Sequence, residues 1–129
     1  MIVDASAIIA ILHDEADAAR YAQAIAQADV CRISAATFVE AAIVIEAQAG
    51  PNGGRQFDTF VRRSGLRIEA VDEAQARIAR QAYLDFGKGR HSAGLNYGDL
   101  FSYALSKASG EPLLFKGDDF SRTDIVSAL

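Results

Sequence analysis

Cysteine is nearly absent from this chain: Cys31 stands alone among 129 residues, which excludes an internal disulfide and any thiolate metal cluster. As a single thiol it reads as one more small buried hydrophobe. Histidine is almost as scarce. His13 and His91 are the only two and lie far apart, so a zinc site of ordinary His/Cys type is not encoded and any metal must be held by oxygen. Long apolar runs are missing as well. Ala5 to Leu12 and Ala41 to Ala47 are the longest, far too short to span a bilayer and interrupted or flanked by acids, so no membrane span is expected. The opening Met-Ile-Val-Asp lacks the basic segment and small-residue cleavage site of a secretory signal, which makes the cytoplasm the expected address. Nor is there a surplus of positive charge. A formal net charge of −4 argues against a general nucleic-acid coating protein, whose binding rests on phosphate neutralisation. It leaves room for a nuclease, because an acidic metal pocket lowers the total while a local basic patch still guides a phosphate backbone.

What is present is core-forming material: 50% of the residues are hydrophobic, enough for one domain over residues 1–129 without disulfides or a structural metal. Ile2 and Val3 form a short apolar run ending at Asp4, and Ser6 to Leu12 follows as a helix. Asp14 to Ala28, Ala-rich with Glu15, Asp17 and Arg20 on its polar side, predicts a second helix capped by Asp14. Val30 to Ile33 reads as a strand, and Ser34 caps a long helix that Gly50-Pro51-Asn52-Gly53-Gly54 stops near Ala49. A helix over Arg55 to Ser64, a strand over Leu66 to Val71 and a helix over Glu73 to Phe86 capped by Asp72 come next. A glycine-rich basic loop, Gly87 to Gly94, leads to a helix opened by Asn96 or Gly98 and running to about Ser109. Leu113 to Phe115 is the last strand, and Gly117-Asp118-Asp119 starts a loop or helical turn. Strands separated by helices imply parallel pairing and a three-layer α/β/α sandwich, with ligands gathering at the carboxyl ends of the strands.

The acids are placed where such a sheet presents chemistry. Asp4 ends the first strand, a position that an N-cap role also explains. Glu40 lies nearly two turns beyond Ser34 among Phe38, Val39, Ala41, Ala42 and Ile43, so capping does not explain it. A carboxylate buried there unpaired costs several kcal/mol or is forced to protonate, unless a cation or an arginine such as Arg32 or Arg67 meets it. Asp99 sits at a helix start, where dipole stabilisation is the plainer account. Asp118 and Asp119 follow the last strand and suit a turn equally well. Together these acids suit Mg²⁺ or Mn²⁺, hard ions that take oxygen ligands and keep waters for reaction.

At these residues the chain resembles the PIN-domain ribonucleases, and specifically the VapC-type toxins of toxin–antitoxin pairs. Met1-Ile-Val-Asp4-Ala-Ser6-Ala resembles the family's opening strand with its first acid and following hydroxyl. Ser34 to Glu40 resembles the second motif, Leu95-Asn-Tyr-Gly-Asp99 the third, and Leu113 to Phe120 the last, so the likeness covers essentially the whole chain. The resemblance implies Mg²⁺ or Mn²⁺ held by Asp4, Glu40 and Asp99, water activated by that metal, and Ser6 supporting Asp4. It further implies endonucleolytic cleavage of structured RNA, often transfer RNA, a VapB-like antitoxin seated in the groove, and homodimerisation. One departure concerns the fourth acid: where many relatives carry it this chain has Gly117, leaving Asp118 or Asp119 to replace it.

Lys88, Arg90 and His91 form a candidate phosphate-steering patch, with Lys116 a further basic candidate near RNA and His91 a candidate general acid. Two other classes compete. A receiver or aspartyl phosphatase would use Asp4 and Lys116, but Asp4 lacks an adjacent acid or an Asp-x-Asp, and Glu40 would have no role. A non-catalytic module keeping the fold would have no use for the full acid set.

Overall fold

A computed structural model describes residues 1–129. Four short parallel strands, β1 (Ile2–Val3), β2 (Arg32–Ser34), β3 (Arg67–Glu69) and β4 (Leu113–Leu114), lie in the order β3-β2-β1-β4. Ile2 is in register with Arg32 on one side and Leu113 on the other, so β1 and its terminal Asp4 are central. The central strand β1 and its neighbour β4 are apolar on both faces because both faces are covered, whereas the edge strand β3, Arg67-Ile68-Glu69, is largely exposed. Alternation sends Ile2 and Leu113 into one core and their neighbours Val3 and Leu114 into the other.

Helices α1 (Ala5–Leu12), α2 (Ala18–Gln27) and α3 (Ala35–Ser64) build the first core, with Ile8, Tyr21, Ile25, Ile45 and Phe57 buried in it. Helices α4 (Glu73–Phe86) and α5 (Tyr97–Ser109) pack on one another over the second, around Ala79, Leu95, Tyr103 and Leu105. This is the three-layer α/β/α sandwich. No helix is long and apolar enough to cross a membrane. Beyond β4, a short 3₁₀ turn (Phe120–Arg122) leads to a tail that lies beside β4, Leu113 N–H donating to the Val126 carbonyl at 2.9 Å.

Three elements differ from the sequence expectation. The second helix starts at Ala18 rather than Asp14, because Asp14 has φ 50° and turns the chain away after α1, a left-handed conformation that aspartate tolerates better than most residues. The Gly50 to Gly54 stop is a one-residue break: Gly50 (φ 66°, ψ −161°) kinks α3, and Pro51, whose missing N–H is no loss in a first turn, restarts the helix at once. The strands are shorter than the apolar runs. Val30 and Cys31 precede β2 and Val71 follows β3, since only Arg32 to Ser34 and Arg67 to Glu69 find ladder partners.

Candidate active site

Asp4 is 4% exposed and does two things at once. As N-cap of α1 its Oδ2 accepts from the Ser6 backbone N–H at 3.0 Å and from Ser6 Oγ at 2.6 Å, while its Oδ1 accepts from Ser102 Oγ at 2.5 Å. Three donors offset the cost of burying the charge. Ser6 Oγ also accepts from the Lys116 backbone N–H at 3.0 Å, so one hydroxyl joins the ends of β1 and β4. The hydrogen bonds that cap α1 are thus the same ones that hold the Asp4 carboxylate in place.

Glu40 meets no basic partner. Arg32 is committed to Glu69 at 2.7 Å and Glu111 at 3.2 Å, and Arg67 forms no ion pair with it, which removes the arginine explanation. Burial, and then the charge of Asp4, raise the Glu40 carboxyl above its usual range. Its carboxylate lies against Gly98, where a Cβ would overlap Glu40 Oε2. Asp99 closes a capping box with Asn96: Asp99 N–H donates to Asn96 Oδ1 at 2.9 Å and Asn96 N–H to Asp99 Oδ2 at 3.0 Å. Burial pushes the Asp99 carboxyl up to about 7, against the lowering effect of that hydrogen bond, and the charges of Asp4, Asp119 and Glu40 push it the same way. Asp99 thus feels three other acids, Asp119 being the one from the loop beyond β4. Asp119 makes no side-chain capping bond to the 3₁₀ turn, which leaves its carboxylate available.

The arrangement is a set of mutually repelling, acceptor-only oxygens beside the carboxyl ends of β1 and β4. That is the donor chemistry a hard divalent cation prefers. No three His, Cys, Asp or Glu side chains converge tightly enough to make a complete ligand set alone. An ion held by these acids would need water to complete its shell, which Mg²⁺ habitually keeps.

The basic candidates divide. Lys88, Arg90 and His91 lie exposed on the loop between α4 and α5, five to eight positions before the Asn96 cap. Arg90 stacks over the Tyr83 ring at 5.7 Å, and His91 Nδ1 accepts from the Ala93 N–H at 3.0 Å. Lys116 does not fit an RNA contact: its ammonium is held by Glu15 and by Asp17, the latter at 2.8 Å. Sequence reading missed Thr37 and Ser102, named Asn96 only as a helix opener alternative to Gly98, and gave Gly98 no place against Glu40. Asn96-x-x-Asp99 is a legible capping-box spacing, whereas the other three carry no local signal.

A stability prediction follows from Asp99. Its folded pKa of about 7 lies above the ordinary 3.8, so between those values the folded protein holds a proton that the unfolded chain has released. The metal-free protein therefore loses stability as pH rises from about 4 to 7, by roughly 1–2 kcal/mol after solvent screening. The raised Glu40 adds to this trend, while Asp17 and Glu111, held low by hydrogen bonds from Lys116 and the N-terminus, act oppositely below that window. Thermal unfolding in EDTA from pH 4.5 to 8 tests it: Asp99→Asn should flatten the slope, and an unchanged slope would contradict the assignment.

A family model described as PIN domain matches residues 1–126. Ribonuclease VapC28 of Mycobacterium tuberculosis is 54% identical over 130 residues, covering 100% of this chain and 98% of that protein. Ribonuclease VapC of Mycolicibacterium smegmatis is 52% identical over 127 residues, with 98% of each chain covered. Among solved structures, Mycobacterium tuberculosis VapC20, titled a sarcin-ricin loop cleaving toxin, superposes with a TM-score of 0.78 at 19% identity over 97% of this chain and 95% of that one. A toxin-antitoxin complex from Klebsiella pneumoniae gives 0.73 at 15% identity, covering 99% and 97%. At those identities the structures speak for the fold alone. On the family match and the near full-length relatives, the chain belongs to the PIN-domain family, in its VapC group.

Proposed function

We propose that this protein is the toxin of a type II toxin–antitoxin pair, a Mg²⁺- or Mn²⁺-dependent endoribonuclease acting in the cytoplasm on structured RNA, transfer RNA included. The observation that carries the reading is that Glu40 packs on Gly98 beside Asp99 while Asp4 is tied to the same helix through Ser102, and that no lysine or arginine pairs with any of the three acids. Asp4, Glu40 and Asp99 hold the ion, with Asp119 rather than Asp118 as fourth acid. A divalent ion there neutralises charge on the scissile phosphate and makes water a better nucleophile at neutral pH. Asp4, fixed by three hydrogen bonds, is the rigid member, and Asp99 is anchored through one oxygen by Asn96. Lys88, Arg90 and His91 approach the phosphate backbone from the loop preceding α5, where glycines keep the chain slim.

A receiver or phosphatase reading fits less well, because Lys116, the lysine it needs, is turned to Glu15 and Asp17. The partner surfaces follow from exposed apolar area. A groove of about 750 Å³ between α2 and the second half of α3, lined by Ile25, Ala26 and Phe60 with Arg55 and Arg63, suits a segment of a VapB-like antitoxin. Val39 and Ile43, one turn apart on α3, and Tyr97 on α5 are exposed beside the acids and suit a homodimer contact. We take residues 1–129 as one working unit.

The test incubates antitoxin-free protein with total RNA in Mg²⁺ or Mn²⁺ and maps the cut ends. Discrete cuts lost in EDTA and in Glu40→Gln, reduced about 10-fold or more in Asp119→Asn and kept within about 2-fold in Asp118→Asn are expected. Cuts indifferent to EDTA would sink the metal reading, and equal effects at 118 and 119 would sink the choice of fourth acid.

A further inference from the structure

Behind the acids lies a buried pair of hydroxyls. Ser102, 0% exposed, sits one turn beyond Asp99 on α5, and Thr37, 1% exposed, one turn before Glu40 on α3. Ser102 Oγ lies 2.5 Å from Asp4 Oδ1 and 3.1 Å from Thr37 Oγ1. The direction of these bonds is fixed by valence. An ionised Asp4 can only accept, so the single Ser102 proton points at Asp4, and the Thr37 proton must then point at Ser102. The chain Thr37→Ser102→Asp4 is one-way, and each donor polarises the next.

The same three residues belong to the three elements that carry the acids. The hydroxyl pair therefore does for the inner oxygen of Asp4 what Ser6 does for the outer one, and it also pins α3 to α5, hence Glu40 to Asp99. We propose that Ser102 and Thr37 are positioning residues that set the affinity of the carboxylate site for a divalent cation, an inference that rests on the metal reading above. Both side chains are fully buried, so neither would meet the ion's open face or the RNA. Groups that orient metal ligands in this way are commonly worth 10–100-fold in affinity, about that much being expected here.

The experiment is a Mn²⁺ titration of the full chain, with calorimetry as readout and metal-free thermal unfolding alongside, on wild type, Asp4→Asn, Ser102→Ala, Thr37→Val and Thr37→Ser. Valine keeps the shape of Thr37 and removes its hydroxyl, whereas serine keeps the hydroxyl and removes a methyl group. Ser102→Ala should raise the Mn²⁺ Kd about 10–100-fold and Thr37→Val several-fold, about 3–10, while Thr37→Ser stays within about 2-fold although it loses more packing. Excess Mn²⁺ should restore cleavage by Ser102→Ala. The proposal is overturned if Ser102→Ala and Thr37→Val bind Mn²⁺ like wild type while Asp4→Asn does not, or if affinity follows lost packing, with Thr37→Ser the weaker binder. Wild type and Asp4→Asn that both fail to bind Mn²⁺ would overturn the metal reading, and this inference with it.

Discussion

Replacing Gly98 by alanine is expected to cut RNA cleavage by about 100-fold or more while leaving the protein as well folded as before, with a change in Tm no larger than about 5 °C. Gly98 is in the first turn of α5, and it is not one of the residues whose backbone takes a positive φ. Helical geometry there suits alanine better than glycine by about 0.5–1 kcal/mol. Its glycine is required from outside the helix. The position of an alanine Cβ is filled by the Glu40 carboxylate, whose Oε2 it would overlap. Since that oxygen is the end of a flexible side chain, the added methyl group displaces the carboxylate rather than the helix. Stability and activity should therefore part company. A double-mutant cycle makes the mechanism explicit: if Gly98→Ala acts through Glu40, adding it to Glu40→Gln should cost little beyond Glu40→Gln alone. Full multiplicative losses, or wild-type cleavage by Gly98→Ala, would show that the close packing of Gly98 on Glu40 is not what places the acid.

Gly98 also shows where sequence reading stops. The strands, the caps at Asp72 and Asn96, and the acids Asp4, Glu40 and Asp99 are legible because each has a local signature: an apolar run that ends, a capping residue before a periodic stretch, a charge on an apolar helix. Asp14 misleads because it is a competent cap that instead takes a left-handed turn, its neighbours Glu15 and Asp17 being drawn to Lys116 from a segment about a hundred residues away. Gly50-Pro51 reads as a loop because both residues break helices, yet a break followed immediately by a permitted first-turn proline is a kink. Lys116 looks like a free cation until the fold brings those two acids to it. Thr37 and Ser102 are invisible for the same reason. A serine and a threonine 65 positions apart come within hydrogen-bonding distance only because the fold brings α3 against α5.

The acids themselves make the last and largest expected effect. Asp4→Asn and Asp99→Asn should each lower cleavage by a factor on the order of 10³, since each removes a charge the site uses together with the others. They should differ in stability. At pH 8 without metal, Asp99→Asn should raise the Tm, because the amide keeps the hydrogen bond from Asn96 N–H and relieves a charge opposed by burial and by Asp4, Asp119 and Glu40. Asp4→Asn should lower the Tm. With its oxygen toward Ser6, the new amide N–H₂ faces Ser102 Oγ, which can accept from it and turn its own proton to Thr37 Oγ1. The contacts are then kept with the polarity of the chain reversed, while the negative charge and the acceptor of the buried Thr37 proton are lost. Two folded variants of opposite thermal behaviour and shared inactivity would tie cleavage to the carboxylate charges. If both variants give the wild-type cutting pattern, the activity comes from elsewhere, and a non-catalytic PIN-fold binding module becomes the better description.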